Sequence, residues 1–116
     1  MAKITIQEKT YSFALRVIAL YRAMVSRNEF VLSKQVLKSG TSIGANVEEA
    51  QAGQSRADFL SKMSIASKEA RETRYWLRLI RDSKILDTKD VSPLLAEADE
   101  LVRIISSIVK TTAESR

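Results

Sequence analysis

The chain contains neither cysteine nor histidine, and it has only one proline and three glycines in 116 residues. Without a thiol or an imidazole, it cannot form a disulfide, use a cysteine nucleophile or a histidine base, or hold zinc or haem on Cys and His ligands. Any metal would have to be held by oxygen atoms alone. These absences exclude several enzyme classes, and they favour a binding protein without a cofactor.

Long apolar runs are also missing. No stretch approaches the roughly 18 uninterrupted apolar residues of a membrane span, and the first ten residues, MAKITIQEKT, lack the pattern of a secretory signal. Hydrophobic residues make up 45% of the chain and charged residues 28%, which is typical of a folded domain. We therefore expect a single domain over residues 1–116, located in the cytoplasm and without membrane contact.

Apolar residues recur every three or four positions in four segments, and this spacing is typical of amphipathic helices. The segments cover residues 5–27, 33–52, 55–84 and 91–113, approximately. Connections of about 3–8 residues favour antiparallel neighbours. The sequence thus predicts an all-α, antiparallel up-down-up-down four-helix bundle.

Serines stand where the last three helices are expected to begin. We predict Ser33, Ser55 and Ser92 as N-caps, with Pro93 at the first position of the fourth helix. The predicted apolar stripe of the first helix consists of Tyr11, Ala14, Leu15, Ile18, Tyr21 and Val25. That of the third helix consists of Phe59, Met63, Ala66, Ala70, Thr73, Leu77 and Ile80.

The second helix contains two glycines, and each costs about 1 kcal/mol relative to alanine in a helix interior. Gly40 and Gly44 share a face. They indicate either the close approach of a neighbouring helix, or a kink or backbone site for a ligand or subunit. Asn46 occupies a core-type position, where a buried amide would fix register or oligomeric state. The alternative for Asn46 is a binding role.

Carboxylates in a helical bundle suggest a metal centre, but the di-iron pattern needs histidine. Glu48, Glu49, Glu69 and Glu72 could form an all-oxygen site for a hard cation. We expect them instead to form solvated or interfacial ion pairs. A catalytic bundle using Glu49 or Glu72 is a third alternative.

The net charge of +5 is unevenly distributed. Residues 1–86 carry 15 basic and 8 acidic side chains, whereas residues 87–116 carry 4 and 6. Basic residues recur every three or four positions along the third helix and predict a longitudinal stripe, with Tyr75 and Trp76 close enough for base stacking. Such a stripe could contact nucleic-acid phosphates. Alternatively, its arginines cover apolar surface and pair with acids on the next helix or subunit.

Four strings carry a family resemblance: SIGANVEEA at residues 42–50, QSRADF at 54–59, KMSIA at 62–66 and KEARETRYWLRL at 68–79. Over nearly its whole length the chain resembles the 23S rRNA-intervening-sequence proteins, named after reading frames in insertions within some bacterial ribosomal RNA genes. The resemblance implies a four-helix bundle that assembles as a homopentamer around a central channel. The chain is also similar to accessory proteins of diversity-generating retroelements, which associate with a reverse transcriptase and nucleic acid.

These observations lead to one main hypothesis and one alternative. The main hypothesis is a non-enzymatic homo-oligomer that binds RNA or an RNA-containing complex through Lys62, Lys68, Arg71, Arg74, Arg78 and Arg81. The alternative is a structural or protein-interaction module with these arginines at subunit contacts and no nucleic-acid role. In both cases we assign structural or interface roles to Gly40, Gly44, Asn46, Glu49, Glu72 and Trp76.

Overall fold

The computed structural model describes residues 3–115, which form four α-helices and no β-strand. The helices are α1 (Ile6–Ser26), α2 (Leu32–Gln51), α3 (Arg56–Asp82) and α4 (Thr88–Glu114). The predicted all-α class is confirmed. The first three predicted helices agree with the structure to within two residues at each end.

Contacts between the helices show that consecutive helices run in opposite directions. Ser39 in the first half of α2 is hydrogen-bonded to Thr73 in the second half of α3, whereas Glu49 near the end of α2 lies beside Lys62 early in α3. The same reversal relates α1 to α2 and α3 to α4. Each helix packs against the next, and the contact between α1 and α4 is the smallest of the four. The result is an up-down-up-down four-helix bundle.

Helices α1 and α3 begin with hydroxyl side-chain caps. The Thr5 hydroxyl accepts a hydrogen bond from the Glu8 amide, and the Glu8 carboxylate accepts one from the Thr5 amide, both at 3.1 Å. These bonds favour the ionised carboxylate and lower the pKa of Glu8. This pair of reciprocal hydrogen bonds, a capping box, therefore stabilises α1 at neutral pH. It weakens as the pH falls below the ordinary glutamate pKa. At α3, the predicted cap Ser55 is confirmed, since its hydroxyl accepts from the Asp58 amide at 3.0 Å.

The start of α2 differs from the prediction. Its first amides donate to the side chain of Glu29, which lies 3.0 and 3.1 Å from Val31 N and 2.7 and 3.1 Å from Leu32 N. The helix therefore begins at Leu32, and Ser33 is fully buried within its first turn instead of capping it. A carboxylate that reaches forward from the preceding loop has replaced the predicted serine cap.

The fourth helix begins at Thr88, three residues before the predicted start. Pro93 consequently lies in the second turn, where it lacks the N–H that would bond to the carbonyl of Lys89. Val91 is fully buried, and its packing offsets this loss by holding the first turn against the bundle. Ser92 lies within the helix, so its prediction as an N-cap is wrong.

The buried face of α1 is also different from the predicted stripe. The core residues of α1 are Phe13, Val17, Leu20 and Met24. Tyr11 and Leu15 are 65% and 53% exposed, and the other four members of the predicted stripe are partly exposed. Both faces of α1 are apolar, so periodicity alone could not choose between them. By contrast, the predicted stripe of α3 is buried from Met63 to Ile80.

The helical glycines bring α2 close to α1, in agreement with the first of the two alternatives. A Cβ atom on Gly40 would lie 2.8 Å from both γ-carbons of Val17. A Cβ atom on Gly44 would lie 3.3 Å from the carbonyl oxygen of Thr10. The helix-propensity cost of the glycines is thus offset by closer packing between the two helices.

A buried hydroxyl pair, rather than Asn46, links α2 to α3. The Thr73 hydroxyl lies 2.9 Å from that of Ser39 and 2.7 Å from the carbonyl oxygen of Glu69. Asn46 is partly exposed, and its amide nitrogen donates to the Ser42 carbonyl at 2.9 Å. The prediction that Asn46 acts as a buried amide is therefore wrong, because its side chain is satisfied within its own helix turn.

Replacement of Thr73 by valine is expected to lower the free energy of unfolding by about 1–3 kcal/mol, because it leaves the buried Ser39 hydroxyl without its partner. Urea unfolding followed by circular dichroism measures the change. The paired variant Thr73→Val/Ser39→Ala is the control and should recover most of the loss. A double variant less stable than Thr73→Val alone would contradict this role.

Candidate nucleic-acid interface

The six basic residues predicted to bind nucleic acid do not form one stripe. Lys62 faces α2, where its Nζ lies 3.7 Å from Glu49 Oε1. Lys68 follows Lys62 by six residues, which turns it about 240° around the helix axis. It is therefore exposed on the outer surface of α3. The four arginines of the set are the ones that turn toward α4. The six residues thus point in three directions, and of the predicted stripe from Lys68 to Arg81 only Lys68 lies apart from the arginines.

Two of these arginines are paired with acids of the same chain. Arg74 Nη1 lies 3.5 Å from Asp99 Oδ1 on α4, and Arg81 Nε lies 2.8 Å from Asp82 Oδ1. The hydrogen bond between Arg81 and Asp82 raises the pKa of the arginine and lowers the pKa of the aspartate. Both arginine side chains keep about a third of their surface exposed, at 37% and 35%. Because each is paired with an aspartate, Arg74 and Arg81 add less unpaired positive charge to the surface than the sequence pattern suggests.

The remaining two arginines share a surface with two cations of α4. Arg71 and Arg78 are exposed and stand seven residues apart, about 10 Å along α3. Arg103 and Lys110 are exposed and have the same spacing along α4. Within residues 3–115, none of the four has a carboxylate oxygen within 4 Å of its charged nitrogen atoms. We call Arg71, Arg78, Arg103 and Lys110 the basic surface.

Sequence reasoning missed the α4 half of this surface because it averaged charge over the last 30 residues. Two acids of α4 lie on another side of the helix, whereas Asp99 lies on the side of α3, 3.5 Å from Arg74. Glu97 Oε1 is 2.8 Å from Arg16 Nη1, and Glu100 Oε1 is 2.7 Å from Lys9 Nζ, so both acids face α1. The seven-residue spacing of Arg103 and Lys110, which places both on one side of α4, is the sequence feature that indicates this half of the surface.

A small cleft lies at one end of the basic surface. It has a volume of about 270 Å³ and is lined by Ser64, Ser67, Arg71, Ser106, Val109 and Lys110. Arg71 Nη2 donates to Ser106 Oγ at 3.2 Å, which orients the guanidinium at the edge of the cleft. Ser67 Oγ lies 3.3 Å from Ser106 Oγ. Two cations and three hydroxyls around a cleft are groups that can hold a phosphate oxygen.

The two neighbouring aromatic residues of α3 point in different directions. Tyr75 is 51% exposed and stands between Arg71 and Arg78 along the helix. Trp76 packs partly against the core, and its Nε1 lies 3.4 Å from Glu72 Oε2. Their rings meet edge to face, with centroids 5.3 Å apart. Of the two predicted stacking residues, only Tyr75 is beside the basic surface.

Glu69 and Glu72 of α3 lie on the side away from α4, whereas Asp82 at the end of α3 is paired with Arg81. Burial, followed by the neighbouring charge of Glu72, raises the pKa of Glu69, while Lys68 and Lys38 oppose that shift. Because the folded-state pKa is raised, ionisation of Glu69 lowers the stability of the fold, and this cost appears as the pH rises above 4.5.

Among residues 3–115, no group of three or more acidic side chains could hold a metal ion. In the same range, no helix is long and apolar enough to cross a membrane.

Comparisons with known proteins agree with the fold. The model of the family described as 23S rRNA-intervening sequence protein matches residues 2–107. A crystal structure from Bacteroides thetaiotaomicron VPI-5482, described as a protein of unknown function from the S23 ribosomal protein family, is similar with a TM-score of 0.88 and 43% sequence identity. The similarity covers 91% of this chain and 99% of that chain. A comparison with curated proteins finds no match. The chain belongs to the 23S rRNA-intervening sequence protein family.

Proposed function

We propose that this protein is non-enzymatic and binds RNA, alone or within a ribonucleoprotein, through the basic surface of α3 and α4. The observation that carries the proposal is that Arg71, Arg78, Arg103 and Lys110 are exposed on adjoining helices, and that none of them has a carboxylate oxygen within 4 Å among residues 3–115. Cations of this kind bind a phosphate backbone with release of counterions. The function would be exerted in the cytoplasm, where ribosomal RNA is found.

The chemistry of the surface favours contacts with the RNA backbone. Three of its four cations are arginines, whose planar guanidinium groups can bind phosphate through two hydrogen bonds. Arg71 is oriented by Ser106, and Tyr75 offers one exposed ring for stacking. Backbone contacts position a protein on nucleic acid without reading its sequence. Recognition would therefore depend on the shape of the RNA and on salt concentration.

We also propose that the chain assembles with itself, as the homopentamer implied by the family resemblance. The supporting observation is the exposure of Tyr11 and Leu15 on α1, which leaves an apolar face without a partner. Several copies of the basic surface on one particle would strengthen a weak attraction by avidity. If the arginines instead lie between subunits, their removal should dissociate the assembly.

Electrophoretic mobility over a salt series tests RNA binding by the full chain. With four phosphate contacts per chain, log K is expected to fall against log salt concentration with a slope of about −3 to −4. A hairpin RNA and an unstructured RNA of the same length serve as probes. Absence of a shift at low salt, or an affinity that does not change with salt, would contradict the proposal.

A further inference from the structure

The bundle exposes two separate rows of apolar side chains. The α1 row consists of Tyr11, Leu15, Ile18 and Val25, with Arg22 among them. The α3 row consists of Ile65, Trp76 and Leu79, with Glu69 and Glu72 among them. Ile65 and Leu79 are 39% and 36% exposed. Apolar rows of this length on a soluble domain typically mark protein contacts.

The charges within the two rows are opposite. Arg22 is exposed, and within residues 3–115 it has no carboxylate within 4 Å. Glu69 and Glu72 repel each other, and neither has a lysine or arginine nitrogen within 4 Å in the same range. A row packed against its own copy would bring like charges together. A row packed against the other would bring the arginine to the acid pair.

The two rows lie on different sides of the bundle. Helices α1 and α3 do not pack against each other, because α2 lies between them. Tyr11 lines a cleft of about 180 Å³ together with Thr41 and Ala45 of α2, and Lys38 of α2 acts on the charge of Glu69. Each row therefore borders α2 from its own side. One copy can therefore engage two neighbours at once, and such head-to-tail contacts form a ring where the rotation from copy to copy closes.

We infer that the α1 row of one copy packs against the α3 row of the next copy, with Arg22 facing Glu69 and Glu72. The inference rests on the self-assembly proposed above and adds which surfaces meet. The contact is heterologous, because each copy contributes a different face to each of its two interfaces. It covers Leu15 and Leu79, and it gives the acid pair a cation at ion-pair distance, which neither acid has among residues 3–115. The basic surface of α3 and α4 remains outside this contact.

Blocking one row at a time provides the first test. Leu15→Asp blocks the α1 row and Leu79→Asp blocks the α3 row, and both sites are exposed enough for the variants to fold, which circular dichroism checks. Light scattering should show an assembled wild type, two monomeric variants, and a one-to-one heterodimer in an equimolar mixture. A single variant that dimerises by itself, or a mixture that stays monomeric, would overturn the heterologous contact. A monomeric wild type would instead overturn self-assembly itself.

Charge reversal provides the second test. Arg22→Glu and Glu72→Arg should each weaken assembly at least tenfold in dissociation constant, because each places like charges across the contact. The double variant should recover most of the loss. Lys34→Glu, on the exposed side of α2 and outside both rows, is the control and should leave the mass unchanged. A double variant that assembles no better than either single variant would overturn the pairing of Arg22 with the acids of α3.

Discussion

Simultaneous replacement of Arg71, Arg78 and Arg103 by glutamine is expected to lower RNA affinity on the order of 10²-fold to 10³-fold at about 0.1 M salt. The reason is that each of these cations is exposed and has no carboxylate oxygen within 4 Å among residues 3–115, so each can release one counterion from the phosphate backbone. The slope of log K against log salt should fall by about 2–3. Fluorescence anisotropy with a labelled RNA over a salt series measures both quantities.

The matched control is Lys3→Gln/Lys34→Gln/Lys89→Gln, which removes the same net charge from exposed positions outside the basic surface. It should change affinity less than tenfold. Equal losses in the two triple variants would attribute the attraction to overall charge and contradict a localised surface. Light scattering on the arginine variant distinguishes RNA binding from the alternative, a structural module with these arginines at subunit contacts. Dissociation of the assembly would place the arginines between subunits.

Gly40→Ala is expected to lower the free energy of unfolding by about 1–2 kcal/mol, although alanine is the better helix former by about 1 kcal/mol. The new methyl would lie 2.8 Å from both γ-carbons of Val17, which is closer than real contacts allow. Val17 cannot turn away, because a β-branched side chain in a helix has one strongly preferred rotamer. Helices α1 and α2 must then move apart. Urea unfolding measures the loss.

Two variants show whether this contact is the cause. Gly44→Ala is the control, because its methyl would lie 3.3 Å from the Thr10 carbonyl oxygen, and it should stay within about 1 kcal/mol of the wild type. In a Val17→Ala background, Gly40→Ala should lose its cost, since the opposing methyl groups are gone. The same loss in both backgrounds would show that steric contact with Val17 is not responsible.

Local sequence patterns predicted the structure correctly where the sequence allowed only one arrangement of a helix. On α3 the apolar residues follow a single face, so the stripe from Met63 to Ile80 was predicted correctly. On α1 two faces are apolar, and the buried one is the face that carries Val17, against which Gly40 packs closely. The start of α2 was missed for a similar reason. A serine cap is a local feature of a sequence, whereas Glu29 caps the helix from the preceding loop.

The all-α fold, the absence of thiol and imidazole chemistry, and the arginines along α3 all follow from the amino-acid sequence. Arg81 is paired with its neighbour in the chain, Asp82, but the surroundings of the other arginines depend on how α3 and α4 pack. Asp99 partly neutralises Arg74 from across the helix interface, while Arg103 and Lys110 extend the surface from the same helix as that acid. The physical reason is that charges interact according to their distance in space, and residues 25 or more positions apart in the chain become neighbours only when α3 and α4 pack.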